Sequence, residues 1–154
     1  MKQKYTTMQI IIEASTIVIL LSLFAYVITN WNTIPGQVPS HFNFQGQIDS
    51  WSNKNMILFP VFVSLFLYLL LTVVSFYPSM WNMPVKITEE NREQAYHYTR
   101  NMITVLKLEL VSVFAYITIQ TSKAQVLSPY FLPVFLTVIF GTIIIHISLI
   151  NKSQ

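Results

Sequence analysis

Long apolar stretches separated by short polar segments dominate the chain. A helix needs about 20 apolar residues to cross a bilayer, because ~30 Å of hydrocarbon is covered at ~1.5 Å of rise per residue. Stretches that meet this length run over residues 8–29, 55–76, 102–120 and 130–150. We therefore predict an all-α, integral membrane four-helix bundle that forms a single domain over residues 1–154.

The composition agrees with a membrane protein. Charged residues make up 10% of the chain and hydrophobic residues 53%, whereas soluble domains carry about 25% charged residues. The net charge of +3 is too weak a basic excess to indicate nucleic-acid binding, and zero cysteines exclude disulfides and thiol chemistry. The chain lacks the common nucleophile, metalloprotease and phosphate-loop motifs. We therefore expect a protein that is not an enzyme and has no cofactor.

The distribution of Lys and Arg predicts the orientation in the membrane. The side of the bundle that carries both termini holds Lys2, Lys4, Lys86, Arg92, Arg100 and Lys152, and the other side holds Lys54 and Lys123. Cytoplasmic loops carry the excess of basic residues in membrane proteins. The sequence thus predicts a multi-pass protein of the cell membrane, in contact with the lipid bilayer, with N- and C-termini in the cytoplasm.

The loop between the first two predicted spans, residues 30–53, is polar and rich in turn-forming residues. It carries, with the residue that follows it, the spaced set His41, Phe42, Asn43, Gly46, Asp49, Trp51 and Lys54. This set resembles the signature of the uncharacterised N-terminal membrane domain of Sdp-type toxin-immunity proteins. The segment 82–92, after the second span, is similar to the corresponding part of those proteins.

The resemblance implies an integral membrane protein of a Gram-positive bacterium. Such a protein would protect its producer from a secreted peptide toxin and, in some relatives, relay a signal to a cytoplasmic regulator. The immunity proteins have additional C-terminal helices beyond the four predicted here. By this resemblance, the outer loop binds the toxin or signal.

Two interpretations of the outer loop follow from its residues. Proline fixes the backbone angle φ and glycine permits positive φ, while Asn43 and Asp49 favour turns. The loop could therefore be an ordered cap, with Trp51 at the membrane interface and Lys54 starting the second helix. Alternatively, His41, Asn43 and Asp49 form a recognition surface. One His and one carboxylate fall short of a zinc site, so no metal is expected.

Four ionisable residues fall inside the predicted spans, where charges are costly and are functional candidates. At ~1.5 Å per residue, they lie about 6–10 Å from the cytoplasmic edge. They are Glu13, Lys107, Glu109 and His146. We expect Glu13 to pair with Lys107, which leaves Glu109 and His146 as a second possible pair. A pair of this kind could simply fix the order of the helices. A small ion- or proton-coupled transporter that uses these groups is the alternative function.

The inner loop predicts a helix that begins near Thr88 and runs into the third span. Thr88 is a suitable N-cap, and Glu89 and Glu90 would lie in the first turn, where the helix dipole favours anions. A cytoplasmic partner would meet this segment, at Lys86, Thr88, Asn91 and Arg92. An accessory membrane subunit with no ligand of its own is a third possible function.

Overall fold

The computed structural model describes residues 4–153, so Lys2, used above to predict orientation, lies outside the described residues. The chain is mostly helical, with one β-hairpin between the first two helices. The elements are α1 (Thr7–Asn30), β1 (Gln37–Phe42), β2 (Ile48–Asn53), α2 (Leu58–Phe76), α3 (Arg92–Ser122) and α4 (Phe131–Asn151). We call the end of the bundle that carries β1 and β2 the hairpin end, and the other the terminal end.

All four helices are long and apolar enough to cross a membrane. Three of them agree closely with the predicted spans. The exception is α3, which begins at Arg92, ten residues before the predicted span at 102. Its first turns are polar and therefore fall outside an apolar window. The structure supports a multi-pass membrane protein with a mostly helical fold.

Local hydrogen bonds define where two helices begin. The Thr6 hydroxyl accepts from the Gln9 amide at 3.3 Å while the Gln9 side chain accepts from the Thr6 amide at 3.0 Å, so a capping box starts α1. Thr88 and Asn91 make the same reciprocal pair, at 3.3 and 2.8 Å. The helix itself begins only at Arg92. The predicted start at Thr88 is therefore wrong by one turn, and Glu93 is the acidic residue of the first turn.

Helix α3 is the central helix, because α1, α2 and α4 all pack against it. By contrast, α1 and α2 touch each other little. Only 6% of the most apolar stretch of α4 is buried, against 22% in α1 and α2 and 28% in α3. The arrangement makes α3 the shared partner and leaves α4 at the periphery.

Polar side chains connect α1 to α3 at both ends of the bundle. Gln9 donates to the Asn101 side chain over 2.6 Å, and the hydroxyls of Tyr26 and Ser122 lie 2.8 Å apart. Where no water competes, hydrogen bonds between helices help to fix their register. These two contacts therefore hold α1 along most of the length of α3.

The antiparallel hairpin β1–β2 rests on an apolar core at the hairpin end. Its strands pair from Gln37 opposite Asn53 to Phe42 opposite Ile48, with irregularities on both sides of His41. Val38 of β1 is fully buried. The core combines residues of α1, the hairpin and α2, namely Leu23, Val27, Ile34, Val38, Ile57 and Val61. The segment predicted as an ordered loop is thus a hairpin anchored to two helices.

Candidate functional site

The turn of the hairpin is formed by Asn43 and Gly46. The Asn43 side-chain oxygen accepts from the amides of Gln45 and Gln47, both at 3.0 Å. The Asn43 carbonyl also accepts from the Gly46 amide at 2.9 Å. Gly46 has φ of +77°, a left-handed conformation that glycine adopts without steric cost. Asn43 is therefore a turn former, as predicted.

Gly46 also joins the hairpin to the loop between α3 and α4. Its carbonyl oxygen accepts a 2.8 Å hydrogen bond from the amide of Leu127. A Cβ atom on Gly46 would lie 2.6 Å from the Leu127 carbonyl oxygen. The two loops are so close that only a glycine fits at this position. The contact with Leu127 holds the hairpin against the loop between α3 and α4.

His41 and Asp49 face each other across the two strands. The His41 Nδ1 and Asp49 Oδ1 atoms are 2.6 Å apart, and the side chains are 68% and 42% exposed. Asp49 therefore pairs with His41 and does not form the turn expected from its residue type. Since both polar groups are accessible, the pair is available to an incoming ligand while contributing little to stability.

Trp51 and Lys54 take different positions. Trp51 lies opposite Pro39 in the hairpin and is exposed. Lys54 begins the short 3-10 turn that leads into α2, as predicted. Its Nζ donates to the Trp31 carbonyl at 3.1 Å and lies 4.8 Å from the Trp31 ring centroid. Lys54 thus fixes the end of α1 to the start of α2.

A cavity of about 570 Å³ lies between the hairpin and the ends of α2, α3 and α4. Of the seven residues in the predicted outer set, it is lined by His41, Phe42, Asn43, Gly46 and Asp49. Trp51 and Lys54 are outside it. The structure therefore brings five of the seven residues to one concave surface, the usual form of a ligand site.

The rest of the cavity wall was not predicted from the sequence. It includes the aromatic residues Phe44, Phe59, Phe114 and Phe131. Phe44 is 84% exposed although it is aromatic. A signal existed in the sequence, because Phe59, Phe114 and Phe131 each lie towards the same end of a predicted span. Helices that end at the same membrane face bring such residues together.

Lys107 and Glu13 form an ion pair between α3 and α1, as the depth argument predicted. The Lys107 ammonium is fully buried, lies 3.3 Å from the Thr72 hydroxyl and lies 5.4 Å from the centre of the Tyr68 ring, both on α2. Three helices therefore surround one charge. Enclosure by an anion, a hydroxyl and an aromatic face is how a buried ammonium is compensated.

Glu109 and His146, the second possible pair, do not contact each other directly. Within residues 4–153 no ion pair joins them, and Thr142 interacts with each instead. The Thr142 hydroxyl donates to Glu109 Oε1 at 2.5 Å, and its carbonyl is 2.8 Å from His146 Nδ1. The His146 ring is therefore hydrogen-bonded within its own helix. The second Glu109 oxygen, Oε2, is buried and has no hydrogen-bond partner in the described part of the chain.

The segment predicted to meet a cytoplasmic partner is partly used for its own conformation. Asn91 is buried, and its side-chain nitrogen donates to the Lys86 carbonyl at 3.0 Å. With the Thr88–Asn91 pair, this bond fixes the turn before α3. The side chains of Lys86 and Arg92 remain exposed. Of the four residues, these two offer free basic side chains at the terminal end.

These features define a class, a multi-pass membrane protein with an ordered hairpin over an apolar cavity. The family model described as a domain of unknown function, DUF1648, matches residues 17–65, from within α1 through the hairpin into α2. Comparison with curated proteins and with solved structures gives no significant match. Since the matched family has no assigned function, the likeness to toxin-immunity proteins stays an expectation from the sequence.

Proposed function

We propose that the chain is a non-catalytic membrane protein of a Gram-positive bacterium that binds a secreted peptide toxin or signal at its hairpin end. The observation that carries this proposal is the cavity of about 570 Å³ beneath the hairpin. Its aromatic wall can accept an apolar side chain, and the His41–Asp49 pair offers polar contacts at the rim. The resemblance of this loop to that of immunity proteins supports the same conclusion.

The hairpin offers a second means of binding an extended peptide. Within the described residues β1 and β2 pair only with each other, so the sheet has two strands and each strand has an outer edge. Backbone groups at a sheet edge can hydrogen-bond an added strand, a common mode of peptide recognition. A peptide that lies along the hairpin would place alternate side chains towards the cavity.

The proposal requires the hairpin end to face the outside of the cell. The excess of Lys and Arg on the terminal side supports this orientation. Both termini would then be cytoplasmic, and the exposed Lys86 and Arg92 would face a cytoplasmic regulator. A ligand outside and a partner inside would contact opposite ends of the same helices.

A small ion- or proton-coupled transporter is the second candidate, and the buried Glu13–Lys107 pair is the observation in its favour. The surroundings of the pair point to a structural role, because Thr72 and Tyr68 of α2 enclose the ammonium. A pH-dependent ion flux in vesicles that disappears in Glu13→Gln would favour transport over binding.

A killing assay tests the proposal. A sensitive strain that lacks this gene is exposed to the secreted peptides of the source strain, with and without the chain expressed. Phe59→Ala removes a cavity-lining ring, whereas Phe62→Ala removes an equally exposed ring of the same helix outside the cavity. We expect the wild type and Phe62→Ala to protect, and Phe59→Ala to lose protection at equal membrane levels. Equal protection by both variants would contradict the proposal, as would a wild type that gives none.

A further inference from the structure

A second concave surface lies between α3 and α4, distinct from the cavity under the hairpin. It is a groove of about 570 Å³, which we call the α3–α4 groove. Its wall is almost entirely apolar and includes Tyr116 of α3 and Phe135 and Val138 of α4. Val134 and Val138 are largely exposed along it. The groove is therefore accessible from the surroundings of the helices.

Glu109 is the one acidic residue in the wall of this groove. It lies 17 residues after the start of α3 and 13 before its end, which at ~1.5 Å per residue is about 20 Å or more from either end. The first turns of α3 are polar and precede the apolar span, so Glu109 lies about 10 Å inside the hydrocarbon layer, measured from the terminal side. A carboxyl group is thus presented in an apolar groove within the hydrocarbon layer.

Two other polar side chains of the groove, Ser112 and Tyr116, are hydrogen-bonded within the protein. The Ser112 hydroxyl donates to the Leu108 carbonyl at 2.7 Å, and the Tyr116 hydroxyl accepts from the Ser128 amide at 3.3 Å. Glu109 Oε1 accepts from Thr142. Its Oε2 atom is buried and has no partner among residues 4–153. An unpaired buried acceptor is costly, so a donor that reaches Oε2 from the groove would recover free energy.

Within residues 4–153 no cationic side chain forms an ion pair with Glu109. Lys107 is committed to Glu13, and His146, which acts on Glu109 only at longer range, is hydrogen-bonded to the Thr142 carbonyl. A cation in direct contact with Glu109 would therefore come from a bound molecule. We propose that the α3–α4 groove binds an amphiphilic amine from the membrane, with the ammonium on the Glu109 carboxylate and the apolar body against α4.

The experiment uses the full chain in nanodiscs of phosphatidylcholine, which has no net charge, with empty nanodiscs as background. The probe is dansylcadaverine, a primary amine on an apolar fluorophore, and the matched neutral probe is N-pentyl dansylamide. We expect saturable binding of the amine about tenfold tighter than that of the neutral probe, as a charge-assisted hydrogen bond provides.

Three variants locate the site. Glu109→Gln should abolish the preference for the amine, whereas Glu89→Gln, an exposed carboxylate before α3, should retain it. Val134→Trp, which fills the groove, should weaken both probes at least severalfold while leaving Glu109 in place. Gel filtration and melting temperature establish that each variant is folded.

The proposal is overturned by equal affinity of the wild type for both probes, or by an amine preference that survives in Glu109→Gln. Unchanged binding in a folded Val134→Trp protein overturns it as well, because that variant tests the groove independently of the carboxylate. A chain that gives no toxin protection but still binds the amine would contradict the proposed function and support the amine site in the α3–α4 groove.

Discussion

Lys107 of α3 and Glu13 of α1 form an ion pair in the apolar interior of the bundle, with Thr72 of α2 beside it. The pair therefore connects three helices through one ammonium group. Removing either partner leaves the other charge buried and uncompensated, whereas removing both leaves none. This difference makes the pair a sensitive probe of how the bundle is held together.

We predict that Glu13→Gln or Lys107→Met alone lowers the free energy of unfolding by about 1–3 kcal/mol, because a lone buried charge is costly and couplings in membranes are modest. The double variant should recover part of this loss. Melting temperature in detergent measures the effect. Lys123→Met, at an exposed position after α3, is the control. Additive losses would mean that the two groups do not interact.

Gly46→Ala should destabilise the hairpin by about 1–3 kcal/mol, because it combines a left-handed φ with a steric conflict. The added Cβ would be 2.6 Å from the Leu127 carbonyl oxygen. Gly36→Ala is the matched control, since nothing lies within 4 Å of its Cβ position. Limited proteolysis of the loop reports the hairpin. Equal cleavage of the two variants would contradict the contact between Gly46 and Leu127.

His41→Ala should lower stability by less than about 1 kcal/mol, since exposed ion pairs contribute little. The His41 and Asp49 side chains are 68% and 42% exposed. If the pair belongs to a recognition surface, toxin protection should nevertheless fall. Thermal melting and the killing assay measure the two effects separately. A large loss of stability would assign the pair to the folding of the hairpin.

The orientation can be tested with single cysteines, because the chain has none of its own. We predict that Gln47→Cys, in the exposed hairpin turn, reacts with a membrane-impermeant maleimide in intact cells. Glu89→Cys, exposed at the terminal end, should react only after the cells are opened. The reverse pattern would invert every loop assignment and move the proposed peptide site into the cytoplasm.

The helices could be predicted from the sequence because spanning a bilayer imposes a length and an apolar composition. The Glu13–Lys107 pair followed from depth alone. Depth gives the level of a residue but not its direction around the helix, so it could not show that Thr142 interacts with both Glu109 and His146. The hairpin was missed because β1 contains a proline and no clear alternation of polar and apolar residues. The aromatic wall of the cavity requires three-dimensional assembly of three helices and the hairpin.

The central position of α3 has a consequence for how the protein enters the membrane. Its mean hydropathy of 1.8 is the lowest of the four helices, and a lysine within a span disfavours insertion, by up to about 2.5–3.5 kcal/mol at the centre. During synthesis, α1 and α2 leave the ribosome before α3. Glu13 and Thr72 can therefore already be in the bilayer when Lys107 arrives. Because of the order of the helices along the chain, both partners of the Lys107 ammonium are present before Lys107 itself is inserted.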